Sequence, residues 1–167
     1  MNLASINQLS DEQAHKLFTS CCFCERWARD MTNCRPFLNE ESLFSWASQF
    51  WETANEEEIL EAFSAHPKIG DLNALRDKYA SHAKTEQGQI TAANESTLKE
   101  LNSLNQDYET KFGFIFIVCA KGKSASAMLT MLKSRIINNR EIELKNGATE
   151  QGKITALRLQ KLLDAKQ

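Results

Sequence analysis

Apolar residues recur along most of this chain at the three- and four-residue spacing of an amphipathic helix. In the first clear case Ala14, Leu17 and Phe18 share one face, and the preceding Ser-Asp-Glu-Gln at residues 10–13 has the pattern of a capping box. The same periodicity predicts further helices around residues 23–31, 40–54, 56–63, 73–83, 92–111, 127–138 and 149–163. We therefore expect an all-α protein, a compact helical bundle in which residues 1–167 form a single domain.

Residues with capping or turn chemistry separate these helices. Asn55 precedes three glutamates, and both an Asn cap and negative charge suit a helix N-terminus. Gly113 is expected to stop the helix over residues 92–111. Asn146-Gly147 is interpreted as a turn that comes before the last helix.

One stretch departs from the helical pattern. Residues 114–119 read Phe-Ile-Phe-Ile-Val-Cys, the aromatic and β-branched composition of a buried strand. No second strand is predicted to pair with it, and a solitary strand would leave its backbone groups unpaired. We therefore expect this Phe-rich segment to lie extended between helices, with side chains in the core and backbone amides turned to a ligand. A purely structural core segment is the alternative.

Composition and charge exclude several classes of protein. The 167 residues are 42% hydrophobic and 25% charged, as in an ordinary globular protein, and the net charge of −2 disfavours a nucleic-acid surface. No apolar run approaches the ~20 residues of a membrane helix. The N-terminal residues lack the pattern of a signal peptide and the last residues are not a peroxisomal signal, so the expected location is the cytoplasm.

Five cysteines invite a metal-site hypothesis. Cys21, Cys24, Cys34 and His15 supply four zinc-ligating side chains, but their spacing matches no common zinc module. The cysteines also lie in an amphipathic pattern, where Cys acts as a small apolar residue. We expect buried free thiols, no disulfides and no metal, and the zinc site remains the alternative.

The clearest candidate for chemistry is the His66-Pro67 pair. Pro67 lacks a backbone N–H and disfavours helical dihedrals at the residue before it, so His66 should end the preceding helix on a stiff corner. An imidazole titrates near neutral pH and can act as an acid or a base. Without other evidence, a histidine that merely ends a helix is the simpler interpretation.

Further motifs support a catalytic role. Ala-Lys-Thr-Glu-Gln at 83–87, Lys-Phe-Gly-Phe-Ile-Phe-Ile-Val-Cys-Ala-Lys-Gly at 111–122 and Leu-Lys-Ser-Arg-Ile-Ile-Asn at 132–138 follow the histidine in order. Together with His-Pro-Lys-Ile-Gly at 66–70, they resemble the 2-oxo-4-hydroxy-4-carboxy-5-ureidoimidazoline (OHCU) decarboxylases over nearly the whole chain. The resemblance implies a cofactor-independent carboxy-lyase of urate breakdown, acting on a small ureidoimidazoline to yield (S)-allantoin and CO2, and a homodimer.

The resemblance also implies which residues act. His66 would be the proton donor, Glu86 would orient the imidazole or the substrate hydroxyl, and Arg135 would bind the substrate carboxylate through its planar fork. A further set would line the substrate site: Pro67, Ala83, Lys84, Thr85, Glu86, Gln87, Phe116, Ile117, Val118, Cys119 and Ala120. Ala83 stands where the family pattern has serine, so one hydroxyl contact to substrate is absent or replaced by water.

No cofactor is expected, because the chain has no Gly-rich phosphate-binding motif and the substrate's conjugated ring can accept the electron pair released with CO2. A lyase requires His66, Glu86 and Arg135 to face one cleft.

Two other functions remain open. A non-catalytic helical module would dock a partner through the Phe-rich segment and expose an apolar patch. A hydrolase of a ureido or cyclic amide could use Cys119 as nucleophile.

Overall fold

The computed structural model describes residues 1–67, 72–85 and 92–165, with the side chains of residues 80–85 and 92–94 outside the description. Within those ranges all regular secondary structure is helical, which confirms the all-α prediction. The helices are α1 (Leu3–Gln8), α2 (Asp11–Cys21), α3 (Glu25–Asn33), α4 (Glu40–Glu52), α5 (Glu56–Ser64), α6 (Leu72–Thr85), α7 (Ala92–Phe112), α8 (Ala125–Ile136) and α9 (Arg140–Asp164).

Local capping explains where several helices begin and end. Ser10 opens α2 as predicted, since its Oγ accepts from the Gln13 amide at 3.2 Å and the Gln13 side chain accepts from the Ser10 amide. Asn55 caps α5 in the same way, with its Oδ1 2.9 Å from the amide nitrogen of Glu58. Gly113 ends α7 with a φ of +79°, a backbone conformation that glycine adopts without strain.

The predicted turn at Asn146-Gly147 is wrong, because α9 continues through both residues from Arg140 to Asp164. Gly147 serves packing instead. A Cβ at this position would lie 2.7 Å from Cζ of Phe63, which is 2% exposed. Because Gly147 has no side chain, the Phe63 ring can contact the helix backbone. The glycine that resembles a turn signal in the sequence therefore has a packing role in the fold.

The described residues group into two compact units. The first comprises Met1–His66 and Asn146–Gln167. Its core is built on Phe18 and Trp27, whose rings meet edge to face at 6.1 Å, and the Trp27 indole donates to the Ala47 carbonyl at 3.0 Å.

The second unit comprises Pro67–Lys145. Its helices α7 and α8 pack against each other, and Tyr108 of α7 is fully buried. The aromatic rings around Tyr108 have centroids 4.5 to 6.1 Å from its own and belong to Phe112, Phe114 and Phe116. The Phe-rich segment thus contributes to the core of this unit.

None of the helices in the described ranges is both long and apolar enough to cross a membrane.

Candidate active site

His66 lies where the chain leaves α5. Its backbone N–H donates to the Phe63 carbonyl at 3.1 Å, and the exposed Pro67 follows. The prediction that His66 ends this helix is confirmed. The imidazole is half-buried, so it has access to solvent while one edge contacts the protein.

A chain of hydrogen bonds within the first unit holds that imidazole. His66 Nε2 lies 2.5 Å from Oε1 of Gln151, a residue of α9 with no exposed surface. The Gln151 amide nitrogen donates to Thr155 Oγ1 at 3.2 Å, and the Thr155 hydroxyl donates to the Gln151 carbonyl at 3.0 Å. The ring orientation is therefore set by a buried side chain that is 85 residues away in the sequence.

The surroundings of His66 lower its pKa below the ordinary value of 6.5. Burial is the largest cause, because it penalises the charged imidazolium. The hydrogen bond with Gln151 opposes this shift, and the positive charge of Arg158 adds to it. His66 is consequently neutral at pH 7 and has a lone pair available as a base.

Gln151 and Arg158 are the residues that the sequence analysis missed in this cluster. Gln151, Thr155 and Arg158 occur at i, i+4 and i+7 and so share one face of α9. Arg158 is half-buried and donates from Nη1 to the Cys21 carbonyl at 3.0 Å. A polar stripe on an otherwise apolar helix face was the signal that could have identified them.

Arg135 of α8 is part of a buried cluster in the second unit. Its Nε donates to Glu143 Oε1 at 2.8 Å and its Nη1 to the Ile117 carbonyl at 2.6 Å, while the guanidinium lies 4.6 Å above the Phe116 ring. The side chain is only 9% exposed. Arg135 is therefore not the surface arginine that its helix position alone would suggest.

Two neutral groups also donate hydrogen bonds to Glu143. The Tyr108 hydroxyl donates to Oε1 at 2.6 Å, and Asn138 Nδ2 donates to Oε2 at 2.9 Å. Glu143 has no exposed surface, so its charge is balanced inside the protein by Arg135. Arg135 Nη2 is buried and has no hydrogen-bond partner among the described residues, which leaves one donor available to a ligand.

The Phe-rich segment has neither helix nor strand over residues 115–120, which agrees with the sequence-based prediction. Side chains donate hydrogen bonds to two of its backbone carbonyls, which in a sheet would bond to a neighbouring strand. Arg135 binds the Ile117 carbonyl, and Lys123 Nζ donates to the Cys119 carbonyl at 2.7 Å. Ile117 is buried, whereas Phe116, Val118, Cys119 and Ala120 are half-buried.

The remaining predicted site residues fall at the limits of the described ranges. Ala83, Lys84 and Thr85 form the last turn of α6, and their side chains are outside the description. Glu86 and Gln87 lie outside the described residues altogether. The predicted roles of these five residues therefore stay predictions.

The prediction of buried free thiols is confirmed for three cysteines, whereas Cys34 and Cys119 are half-buried. All five are free, and Cys21, Cys22 and Cys24 are buried in the first unit. Burial raises the pKa of the Cys22 thiol to about 12 and that of Cys34 to about 11, so both are unreactive at neutral pH. Among the described residues, no group of three or more His, Cys, Asp or Glu side chains is arranged to hold a metal ion.

Comparisons with known proteins show which family the chain resembles. The chain is 38% identical over 149 residues to the uric acid degradation bifunctional protein TTL of Arabidopsis thaliana, covering 87% of this chain and 46% of that protein. It is 30% identical over 165 residues to the OHCU decarboxylase of Xenopus laevis, covering 95% and 93% of the two chains. The chain thus spans less than half of the bifunctional relative and nearly all of the monofunctional one.

A solved structure is also similar to this chain. A crystal structure of an OHCU decarboxylase in the presence of (S)-allantoin matches with a TM-score of 0.73 and 35% identity, covering 94% of this chain and all of that one. The family model described as OHCU decarboxylase matches residues 7–160. The chain therefore belongs to the OHCU decarboxylase family.

Proposed function

We propose that this protein is a cofactor-independent carboxy-lyase that converts OHCU to (S)-allantoin and CO2 in urate breakdown. The observation that carries the proposal is the half-buried imidazole of His66, held by Gln151 and with a pKa lowered by burial, in a chain that belongs to this family. The names of its relatives support the choice of substrate, and the solved relative in the presence of (S)-allantoin supports the choice of product.

The substrate supplies the electron sink of the reaction. The bond between the ring carbon and the carboxylate breaks as CO2 leaves, and its electron pair forms a double bond to the adjacent ring carbon, which bears the ureido group. The electron pair of that carbon's C=N bond moves onto the ring nitrogen, which takes one proton from water. The substrate hydroxyl then becomes a carbonyl, and its proton is transferred to the ring carbon that bears the ureido group. The protein has to orient the ring and move this one proton between oxygen and carbon.

His66 performs that transfer in our proposal. A neutral imidazole accepts the hydroxyl proton, and the imidazolium then delivers it to one face of the ring carbon, which yields a single enantiomer. A base with a pKa below the ordinary value is unprotonated at neutral pH and needs no prior ionisation. Half-burial leaves the ring accessible to a small molecule.

The other predicted residues have supporting roles in the proposal. Glu86 orients the imidazole or the substrate hydroxyl, and Gln87 hydrogen-bonds the ureido group. Arg135 offers its unpartnered Nη2 to the substrate carboxylate. The substrate-binding set further includes Pro67, residues 83–85 and residues 116–120, where alternate half-buried side chains and backbone amides would contact the ring.

The decisive experiment replaces His66. We expect His66→Ala to abolish turnover of freshly generated OHCU, followed by the circular dichroism of allantoin, while the far-UV spectrum and melting temperature stay near those of the wild type. His15→Gln is the matched control, because His15 contacts Glu25 at the surface and has no proposed role. A fully active His66→Ala variant would refute the assignment, and so would a racemic product from the wild type.

The same assay tests the absence of a cofactor and the two alternative functions, a hydrolase and a non-catalytic binding module. Dialysis against a chelator should leave the rate unchanged, whereas a lost rate would revive the zinc site. Cys119→Ala changes a residue of the substrate-binding set, so KM can rise, but a decarboxylase should keep most of its kcat because it needs no nucleophile, whereas a hydrolase that uses Cys119 should lose all turnover. A wild-type protein with no lyase activity would favour the non-catalytic binding module.

We also propose that the protein is a cytoplasmic homodimer whose residues 1–167 fold as one domain. Exposed large apolar residues on both units support self-association: Leu38 at 92%, Trp46 at 41%, Ile137 at 78% and Ile142 at 46%. Reduced, buried thiols suit a reducing compartment. Light scattering should give twice the chain mass, and a single cooperative unfolding transition is expected for one domain.

A further inference from the structure

Gln151 has no assigned role, yet it is the residue that contacts the reactive imidazole. Its side chain is completely buried, so both ends of its amide need partners. We propose that Gln151 is a positioning residue that holds His66 in the tautomer with hydrogen on Nε2 and leaves Nδ1 as the base, an inference that rests on the proposed function. Thr155 supports it by fixing which end of the Gln151 amide faces His66.

The direction of each hydrogen bond follows from the donors available. A neutral threonine hydroxyl carries one hydrogen, and that of Thr155 is donated to the Gln151 backbone carbonyl at 3.0 Å. Thr155 Oγ1 can then only accept from the Gln151 side chain, which places Gln151 Nε2 next to Thr155 at 3.2 Å. The opposite end of the amide, the carbonyl oxygen Oε1, is therefore the atom that faces His66.

This arrangement selects the tautomer. An amide oxygen accepts hydrogen bonds and cannot donate one, so the His66 Nε2 that lies 2.5 Å from Oε1 must carry the hydrogen. In the neutral ring the hydrogen is on one nitrogen only, and Nδ1 consequently presents its lone pair. The other tautomer would place two lone pairs against each other at a site where Gln151 has no access to water.

The neutral amide also sets the ring's charge. Carboxylates often orient catalytic histidines, but they stabilise the imidazolium and raise its pKa. An amide fixes the same tautomer without a negative charge, and Arg158 disfavours the imidazolium further. Gln151 therefore orients His66 while the ring stays in the unprotonated form that can accept the substrate's proton.

Nitrogen NMR of the imidazole rings tests the tautomer directly. The chain has three histidines, and the His66 signals are assigned by their loss in His66→Gln. At a pH where the ring is neutral, we expect the wild type to be protonated on Nε2. Gln151→Met, which keeps the volume but has no carbonyl acceptor, should give a mixture of tautomers. A wild-type ring protonated on Nδ1 would overturn the inference.

Kinetics separate positioning from a merely structural role. We expect Gln151→Met to lower kcat about tenfold with little change in KM, in the range known for residues that orient a functional histidine. Gln151→Glu keeps the acceptor, so it should retain the Nε2–H tautomer, recover much of kcat and shift the acid limb of the pH profile upward. Gln160→Met is the matched control, because Gln160 lies on the same helix and contacts Asp164 at the surface.

Thr155 supplies a second pair of variants in case Gln151→Met does not fold. Thr155→Val removes the hydroxyl that orients the amide and should weaken the tautomer preference, while Thr155→Ser should restore it. Unchanged tautomer and kcat in both Thr155→Val and Gln151→Met would refute the inference. If the wild type shows the Nε2–H tautomer but no decarboxylation, the proposed function fails, and the catalytic meaning of the tautomer fails with it.

Discussion

Arg135 and Glu143 form an ion pair in which Nε lies 2.8 Å from Oε1 and the side chains are only 9% and 0% exposed. The pair links α8 to the start of α9, and the same guanidinium binds the carbonyl of Ile117 in the Phe-rich segment. One side chain thus connects two helices with a segment that has no strand partner. A buried charge of this kind stabilises a structure only while its partner is present.

Removing Arg135 should therefore be strongly destabilising. We expect Arg135→Met to lower the free energy of unfolding by about 3–5 kcal/mol, because it leaves the Glu143 charge buried without a counterion. Urea denaturation measures this loss. The exposed Arg29 provides the control, since Arg29→Met should change stability by less than about 0.5 kcal/mol. Equal effects of the two substitutions would show that the ion pair contributes nothing.

Tyr108 should contribute through its hydroxyl as well as its ring. Tyr108→Phe keeps the aromatic contacts but removes the 2.6 Å hydrogen bond to Glu143, so we expect a loss of about 1.5–3 kcal/mol. Burial raises the pKa of Tyr108, and the neighbouring Glu143 adds to the shift. The folded protein thus retains this proton at alkaline pH, and ultraviolet titration should show Tyr108 ionising only as the protein unfolds.

Gly147 gives a test of packing against α5. Gly147→Ala gains about 1 kcal/mol of helix propensity but places a methyl group 2.7 Å from Phe63 Cζ, an overpacking that costs about 1–3 kcal/mol. We expect a lower melting temperature. Phe63→Leu should relieve part of this cost in the double variant. If Gly147→Ala raised the melting temperature, the contact between the ring and the helix backbone would be wrong.

The stability of the protein should depend on the ionisation of His66. Its pKa is lowered in the folded state, so below the ordinary value of 6.5 the unfolded chain binds a proton that the folded protein does not. The free energy of unfolding should fall as the pH drops through this range and recover as the pH rises. His66→Gln should reduce that dependence, and an identical pH dependence in the variant would contradict the lowered pKa.

Local sequence was sufficient for much of the fold. The capping patterns at Ser10 and Asn55 and the glycine at 113 act within one turn of helix, so their structures could be predicted from neighbouring residues. The failure at Asn146-Gly147 has a tertiary cause. A dipeptide that favours a turn in isolation is held in α9, because Phe63 packs against the helix at the one residue that has no side chain.

In the candidate site, too, some residues could be predicted from local sequence and others depend on tertiary contacts. His66 was identifiable because the proline after it restricts the local backbone, and the family motifs identified the residues expected to act with it. The contact of Gln151 with His66 could not be predicted, since the two residues are 85 positions apart and the polar stripe on α9 does not indicate which residue it meets. Likewise, no local pattern indicated that Glu143 would be buried beside Arg135.

The sequence by itself determined that the chain is helical, where most helices begin and end, and which family it belongs to, since these depend on periodicity, caps and motifs along the chain. Only the tertiary structure decided which side chain contacts the His66 imidazole and how the Phe-rich segment satisfies its carbonyls. Hydrogen bonds depend on distances between atoms that are remote in sequence, and folding alone brings those atoms together.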